Sequence, residues 1–295
     1  MSKILEVEGL RKSYGHFALQ NICFSLEEGC ITGFIGINGA GKTTTIRTLL
    51  GLSPREAGSV RFYGRPISPQ DNSWKDRLGV VLDGNCFYDE LTLQEMKNIL
   101  APAYSHWQEK DFRTCLDRFG LSARQKISTL SKGMRAKFAL ALALSHQAEL
   151  LIMDEPTSGL DPLIRSELMD ILHDFMQTGG RGILFSTHIL SDLDKVADSL
   201  ILIDHGEILL EADKDALLDG HRLVKGDRRD LTPALRQLFL HLQETEFGFA
   251  GLTNQPQLVR QQLADAMLER PTLEDIMLGY IQPGKEAETH VVPFA

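Results

Sequence analysis

The sequence predicts an α/β fold built on a mostly parallel sheet covered on both faces, and three observations carry that prediction. Ile31 to Ile35, Leu150 to Met153, Ile183 to Ser186 and Leu200 to Ile203 are continuous β-favouring runs, as strands buried on both faces require. Helical segments lie between them, the alternation that produces parallel pairing. The first run leads into Gly36-Ile37-Asn38-Gly39-Ala40-Gly41-Lys42-Thr43, which fits G-x-x-x-x-G-K-[ST] between a strand and a helix.

The elements follow in order. Ile4 to Val7, Phe17 to Leu19 and Ile22 to Leu26 read as short extended segments separated by Gly9, Gly15 and Glu28-Gly29, and antiparallel pairing fits them best. After strand 31–35 and its glycine loop, a helix is expected from Thr44 to Leu50. Its Ile46, Leu49 and Leu50 share one face and Gly51 closes its C-terminus. Leu78 to Leu82 is another apolar strand. From about Asp83 to Ser131 the β-runs vanish, and Leu93, Met96, Lys97 and Leu100, with Trp107, Phe112, Leu116 and Phe119, predict a helical insertion. The hairpin signal Asp204-His205-Gly206-Glu207 closes the core. Beyond it, Thr232-Pro233 reads as an N-cap and first helical residue opening Ala234 to Leu242. A second helix is expected from Gln257 to Leu268, where Val259, Leu263, Ala266 and Met267 share a face. Arg222 to Val224 and Phe247 to Leu252 are candidate strands of a small α/β appendage.

Composition narrows the function. A chain of 295 residues with 43% hydrophobic content can bury a sizeable core, which excludes a disordered or fibrous protein. The most apolar stretch, Phe138 to Leu144, is about a third of the ~20 residues a membrane helix needs, so no membrane crossing is expected. The start, MSKILEVEGLRK, has no apolar core followed by a cleavage site, so a cytosolic location is expected. Cys23, Cys30, Cys86 and Cys115 lack zinc-ligand or disulfide spacing and are expected to be small buried hydrophobes. Net charge is −9, with no basic tail, so no nucleic-acid partner is expected.

The glycine loop implies a nucleoside triphosphate. Its backbone N–H groups wrap the β-phosphate, the helix start adds unpaired donors, Lys42 brings a cation to the β/γ oxygens and the Thr43 hydroxyl ligates Mg²⁺. Asp154 and Glu155 end an apolar strand beside Pro156, where two carboxylates are costly unless used. Asp154 fits the Mg²⁺ water shell, and Glu155, one residue on, fits the group that orients and deprotonates the attacking water. Taken alone, a strand ending in Asp-Glu is as often a plain surface feature, Tyr14 a strand-edge tyrosine and His188 a hydrogen-bonded strand-end histidine. Segment Ser131 to Ser145 is equally a packed core helix. Order and spacing turn each of them toward a nucleotide site.

In Leu130-Ser131-Lys132-Gly133-Met134 ahead of the acidic pair, in Asp154-Glu155-Pro156-Thr157-Ser158-Gly159-Leu160-Asp161-Pro162, and in Ser186-Thr187-His188, the chain resembles the ATP-binding-cassette (ABC) family. The likeness covers residues 1 to about 218. It implies a P-loop NTPase fold: a RecA-like parallel core, an N-terminal antiparallel β subdomain and an α-helical subdomain at about 83–132. Residues 219–295 then form an accessory domain. The resemblance implies that Tyr14 stacks on adenine and that Gly36, Ile37, Asn38, Gly39, Ala40, Gly41, Lys42, Thr43 and Thr44 hold the phosphates of ATP. It implies Glu155, His188 and Lys42 as catalytic, and Thr43 and Asp154 as Mg²⁺ ligands; Asp83 keeps an oxygen suited to Mg²⁺ and is expected to contact the metal or its waters. Ser131, Gly133 and Asp161 are implied nucleotide-site residues, with Ser131 and Gly133 supplied across the interface of a head-to-tail pair, a homodimer or a pairing with a similar subunit.

The chain departs from the family where Asp83 replaces the usual glutamine and where Lys132 and Met134 replace glycine and glutamine of the signature. Lys132 is either a cation toward the opposite nucleotide or a solvated side chain. More narrowly, Phe87-Tyr88-Asp89-Glu90-Leu91-Thr92 and Pro271-Thr272-Leu273-Glu274-Asp275-Ile276 resemble the bacterial exporter-type (ABC-2-like) branch. That implies an ATPase subunit on the inner face of the cell membrane, driving a separate integral-membrane permease. A soluble ABC ATPase acting on ribosomes or nucleic acid is the alternative. Such forms usually carry two cassettes or a long coiled-coil insertion, and neither is visible here. Residues 219–295 are open to a regulatory, dimer-supporting or packing role.

Overall fold

The computed structural model describes residues 2–68, 71–84, 87–264 and 266–281. The chain forms two compact units, one reaching residue 211 and one starting at 212.

In the first unit the N-terminal segments are two long strands rather than three short ones. β1 (Lys3–Tyr14) pairs antiparallel with β2 (Phe17–Glu27), from Lys3 opposite Glu27 to Tyr14 opposite Phe17. Gly9 does not end the strand: it takes a φ of +64° at a register shift between Val7 and Leu10, so the chain bulges and continues. β3 (Ile31–Ile35) leads to α1 (Lys42–Leu49), which starts two residues earlier than expected and makes Lys42 its first residue. β4 (Ala57–Phe62) and β5 (Arg65–Pro66) complete a four-stranded antiparallel sheet, β2-β1-β4-β5.

After β6 (Leu78–Val81) come the inserted helices α2 (Leu93–Leu100) and α3 (Glu109–Phe119). Thr92 and Glu95 cap α2 reciprocally, and α3 stops at Gly120 in the left-handed region. α4 (Lys132–Leu144) receives α3 through Phe112 edge-on to Phe138, and approaches β6 so closely that a Cβ on Gly79 would lie 3.0 Å from Ala143. The remaining core alternates: β7 (Leu150–Asp154), α5 (Pro162–Met176), β8 (Gly182–Thr187), α6 (Leu190–Val196), β9 (Ser199–Asp204) and β10 (Glu207–Asp213). The six-stranded order is β10-β9-β3-β8-β7-β6, and the pairs β9-β3, β3-β8, β8-β7 and β7-β6 are parallel. Every residue of β3, β7 and β8 is buried, which accounts for their unbroken apolar runs. His205 and Gly206 both have positive φ, as the two-residue hairpin turn into β10 requires. One hydrophobic core joins the two sheets, with Phe24 of β2 against Phe34 of β3 at 5.9 Å.

The second unit holds α7 (Lys214–Gly220), β11 (Arg222–Asp227), α8 (Pro233–Arg236), β12 (His241–Glu244), β13 (Gly248–Thr253), α9 (Pro256–Gln262), β14 (Met267–Glu269) and α10 (Leu273–Ile281). Its sheet, β12-β13-β11-β14, is antiparallel. Two helix expectations are corrected here. Thr232 does cap Pro233 onward, accepting from Leu235 N, but the helix is one turn long, and His241 to Glu244 pair with β13 instead. Phe239 turns inward onto Phe249 and Gly251, so residues with a helical apolar period reach the core from an irregular chain. α9 ends at Gln262, and Met267 to Glu269 form a strand on β11, leaving Met267 exposed while Val259 is buried. Residue 265, inside the expected helix, lies outside the described residues.

Among the described residues no helix is long and apolar enough to cross a membrane. The cysteine expectation is also corrected: Cys23 is exposed, Cys30 and Cys115 are partly buried, and Cys86 lies outside the described residues. Strand alternation is the reason, because Ile22 and Phe24 on either side of Cys23 face the core. Burial, reinforced by Asp111, pushes the Cys115 thiol up to about 11. At pH 8 such a thiol is ionised about one part in a thousand. Mass-spectrometric mapping of iodoacetamide labelling should find Cys115 on the order of a hundredfold slower than Cys23.

His221 is buried, with Nδ1 facing Leu217 O at 2.8 Å and Nε2 facing the Tyr280 hydroxyl at 3.0 Å. Burial holds its imidazole below the usual range, as it does for His146 in the first unit. The unfolded chain then binds protons that the fold refuses. The stability is complete above the unfolded histidine value, near 6.5, and is lost as pH falls through it toward the lower folded value. Thermal melts should show Tm declining from pH 7.5 to pH 5.5, with a shallower decline in His221→Gln.

Candidate active site

The glycine loop is shaped by what surrounds it. A Cβ on Gly36 would lie 2.4 Å from Ile203 O of β9, so this position admits no side chain. Gly41 has a φ of +118°, and a Cβ there would meet the Phe17 ring at 2.9 Å. The loop is tied from outside where Gly206 N donates to Ala40 O at 2.9 Å. Lys42 is only 5% exposed; its Nζ curls back to donate to Gly36 O (2.7 Å) and Ile37 O (3.3 Å). No side chain caps α1, so its first amides point outward as free donors, the arrangement that attracts an anion.

The acidic pair stands at the end of β7. Parallel pairing places Asp154 opposite Ser186, whose hydroxyl donates to Asp154 Oδ1 at 3.0 Å. Burial raises the Asp154 carboxyl above the usual range; hydrogen bonds from Thr43 and Ser186 oppose that, while the nearby Glu155 and Asp83 charges add to it. A buried carboxylate of this kind is relieved by a cation. Glu155 has a φ of +50°, a left-handed backbone costing on the order of 1–3 kcal/mol in a residue with a side chain. Its carboxylate is held between two donors: Lys42 Nζ lies 3.2 Å from Oε1, and His188 Nδ1–H donates to Oε2 at 2.7 Å. The His188 backbone N–H also reaches Oε2, at 3.4 Å.

Tyr14, Ile37, Asn38, Gly39, Gly41, Lys42, Thr43, Thr44, Asp83 and Glu155 line one open cleft of ≈ 630 Å³, a volume usual for small-molecule sites. Gly36, Ala40 and Asp154 lie buried behind it, and His188 joins it through Glu155. Tyr14 presents an exposed ring, with the Lys12 ammonium 5.2 Å from its centroid and its hydroxyl bonded to Ser53. Phe17 and Arg47 also line the cleft, beyond the residues that the sequence motifs single out. A two-residue turn at Gly15-His16 puts Phe17 directly opposite Tyr14, a register the hairpin length alone announces.

Ser131, Gly133 and Asp161 do not line that cleft. Ser131 caps α4, accepting from Met134 N at 3.3 Å; Gly133 is buried on the same helix; Asp161 caps α5, accepting from Leu163 N and Ile164 N. The two departures from the family pattern meet each other: Lys132 Nζ lies 3.8 Å from Asp83 Oδ1, both side chains about half exposed. In that setting the pair contributes about 0–1 kcal/mol. Among the described residues no group of three or more His, Cys, Asp or Glu could hold a metal unaided. One buried carboxylate and one hydroxyl, Asp154 and Thr43, still suit Mg²⁺, which keeps waters and takes further oxygens from phosphates.

Residues 19–158 match the model of the ABC transporter family. The chain is 30% identical over 298 residues to the Nod factor export ATP-binding protein I of Rhizobium sp. (strain N33), covering 94% of this chain and 97% of that protein. It is 34% identical over 225 residues to the bacitracin transport ATP-binding protein BcrA of Bacillus licheniformis, covering 75% and 74%. A solved ATP-binding subunit of an ABC transporter superposes with a TM-score of 0.66 at 29% identity, over 73% of this chain and 92% of that one. The cbiO1 protein of Clostridium perfringens, at 24% identity and a TM-score of 0.61 over 74% and 94%, shares the fold. With an uncapped helix behind a glycine loop, a buried acid pair and a histidine on the second acid, the chain belongs to the ABC transporter family of ATP-binding, ATP-hydrolysing subunits.

Proposed function

We propose that this chain is the ATPase subunit of an exporter, working as a head-to-tail pair and driving a separate integral-membrane permease from the inner face of the membrane. Residues 1–218 are the cassette and 219–295 its accessory domain. One observation carries the pairing: the phosphate loop, Glu155 and His188 converge, while Ser131 and Gly133 stand outside that cleft. The signature of a second copy completes it. The names of the relatives support export, and support a transporter over an ATPase acting on ribosomes or nucleic acid.

In this reading Tyr14, with Phe17 beside it, takes the adenine, and the loop amides with Lys42 take the phosphates. Thr43, Asp154 and Asp83 would hold Mg²⁺, which would supply charge neutralisation at the phosphate oxygens. Glu155 accepts a proton from water as its oxygen attacks the γ-phosphorus and the bridging bond to ADP breaks. His188 hydrogen-bonds the γ-phosphate. Lys42 and His188 both lie on the Glu155 carboxylate, which places the cation and the imidazole beside the base that takes the proton.

Complementation tests the pairing. Lys42→Ala and Ser131→Phe are each expected to lack ATPase activity, and mixing them rebuilds one intact site per heterodimer. Activity returning on mixing supports the split site; none returning, with dimers present, ends it. For the permease, the tagged chain should sediment with membranes and co-purify with an apolar multi-span chain. Sedimentation with ribosomes would overturn that part.

A further inference from the structure

Asp83 stands in the wall between two hollows. On one side it lines the nucleotide cleft with Thr43 and Glu155, and on the other a cavity of ≈ 330 Å³ that Lys132, Asp154 and Glu155 also line. A carboxylate there adds negative charge where a triphosphate must sit, and it offers an oxygen of the kind Mg²⁺ takes.

Lys132 answers that charge from within the same chain. Its Nζ lies 3.8 Å from Asp83 Oδ1. Its stem runs over Gly159, in the loop between β7 and α5: a Cβ on Gly159 would lie 3.6 Å from Lys132 Cδ and 3.4 Å from Nζ. Arg135, on the same cavity wall, is engaged with Asp89 at 2.8 Å. Lys132 belongs to the segment Leu130 to Met134, whose Ser131 and Gly133 stand outside the nucleotide cleft, yet its ammonium is turned onto a residue that lines it. Both partners are about half exposed, so the pair is weak enough to exchange. Two cations on one carboxylate repel each other, and a divalent ion has the stronger claim on it.

We propose that Lys132 is a nucleotide-site residue in cis: it neutralises Asp83 while the cleft takes up the nucleotide, and it yields Asp83 to Mg²⁺. The signature segment thus carries one residue that acts on its own chain's site, and metal binding is tempered by competition between an ammonium and Mg²⁺ for one carboxylate. This rests on the reading above that Asp83 contacts the metal or its waters.

The test is calorimetric titration of Mg²⁺ into the chain saturated with a non-hydrolysable ATP analogue, run as a double-mutant cycle. Lys132→Met keeps the apolar stem but removes the charge. It frees Asp83 and is expected to tighten Mg²⁺ about two- to fivefold, the range an exposed ion pair allows. Without metal, the same variant should bind the analogue about two- to fivefold more weakly, because Asp83 is then unbalanced. Such opposite changes separate lost charge from general damage, which weakens both. Lys132→Arg, which retains the charge, should match the wild type in both. Asp83→Asn should weaken Mg²⁺, and adding Lys132→Met to it should change Mg²⁺ affinity no further. In a Ser131→Phe background, where the split site cannot form, the effects of Lys132→Met should persist; their loss there would place Lys132 on the partner's nucleotide and overturn the proposal. Weaker Mg²⁺ binding in Asp83→Asn with no change in Lys132→Met would overturn it alone. Equal Mg²⁺ affinity in wild type and Asp83→Asn would overturn the metal role of Asp83 and the proposal with it.

Discussion

Glu155→Gln is expected to abolish steady-state ATP hydrolysis while leaving nucleotide binding intact. The amide keeps the length and shape of the side chain but cannot accept a proton from water, and loss of a positioned general base costs roughly 10²- to 10⁴-fold in turnover. Glu155 also holds Lys42 at 3.2 Å and His188 at 2.7 Å. An uncharged residue there holds both donors less tightly, so ATP affinity should equal or exceed that of the wild type. Phosphate release and titration with a fluorescent ATP analogue separate the two quantities. Turnover within fivefold of wild type would mean that another group takes the proton.

Lys42→Ala should show the opposite pattern, with binding lost first. The Nζ is buried at the head of α1 and is already steered by Gly36 O and Ile37 O into the loop. A hydrogen bond to a charged group contributes about 1.5–3 kcal/mol, so removing this cation should weaken ATP roughly 10- to 150-fold by calorimetry. Turnover falls too, since Lys42 is the buried cation that lies 3.2 Å from Glu155. Lys42→Arg should not rescue it: the planar guanidinium is wider than an ammonium, and its place is already walled by two carbonyls. Affinity within threefold of wild type in Lys42→Ala would place the phosphates elsewhere.

Much of the site is legible along the chain because its chemistry is local. The run from Ile31 to Leu50 announces a strand, a loop and a helix within twenty residues, and the loop's glycines answer to their immediate geometry. Asp154 and Glu155 stand out because charge at the end of a buried run is costly. Phe17 was within reach of hairpin arithmetic. Arg47 was not, because its place in the cleft depends on how α1 turns against the rest of the unit.

The C-terminal unit marks the boundary of this kind of reading. Leu235, Leu238, Phe239 and Leu242 have the spacing of a helical face, yet only Pro233–Arg236 is helical. Strand pairing with β13 claims His241–Glu244, and pairing with β11 claims Met267–Glu269. Short apolar stretches satisfy either period, and the partner that saturates their backbone hydrogen bonds decides between them.

By itself, then, the sequence determined the buried strands of the core, the glycine loop and the acid pair at a strand end, since each is marked by residues a few positions away. Tertiary structure alone decided that Glu155 lies between Lys42 and His188, that Asp83 faces Lys132, and that Ile164 and Arg165 join α5 to two other helices. These contacts join residues distant in the chain, and the packing that brings them together leaves no periodic trace in any one segment.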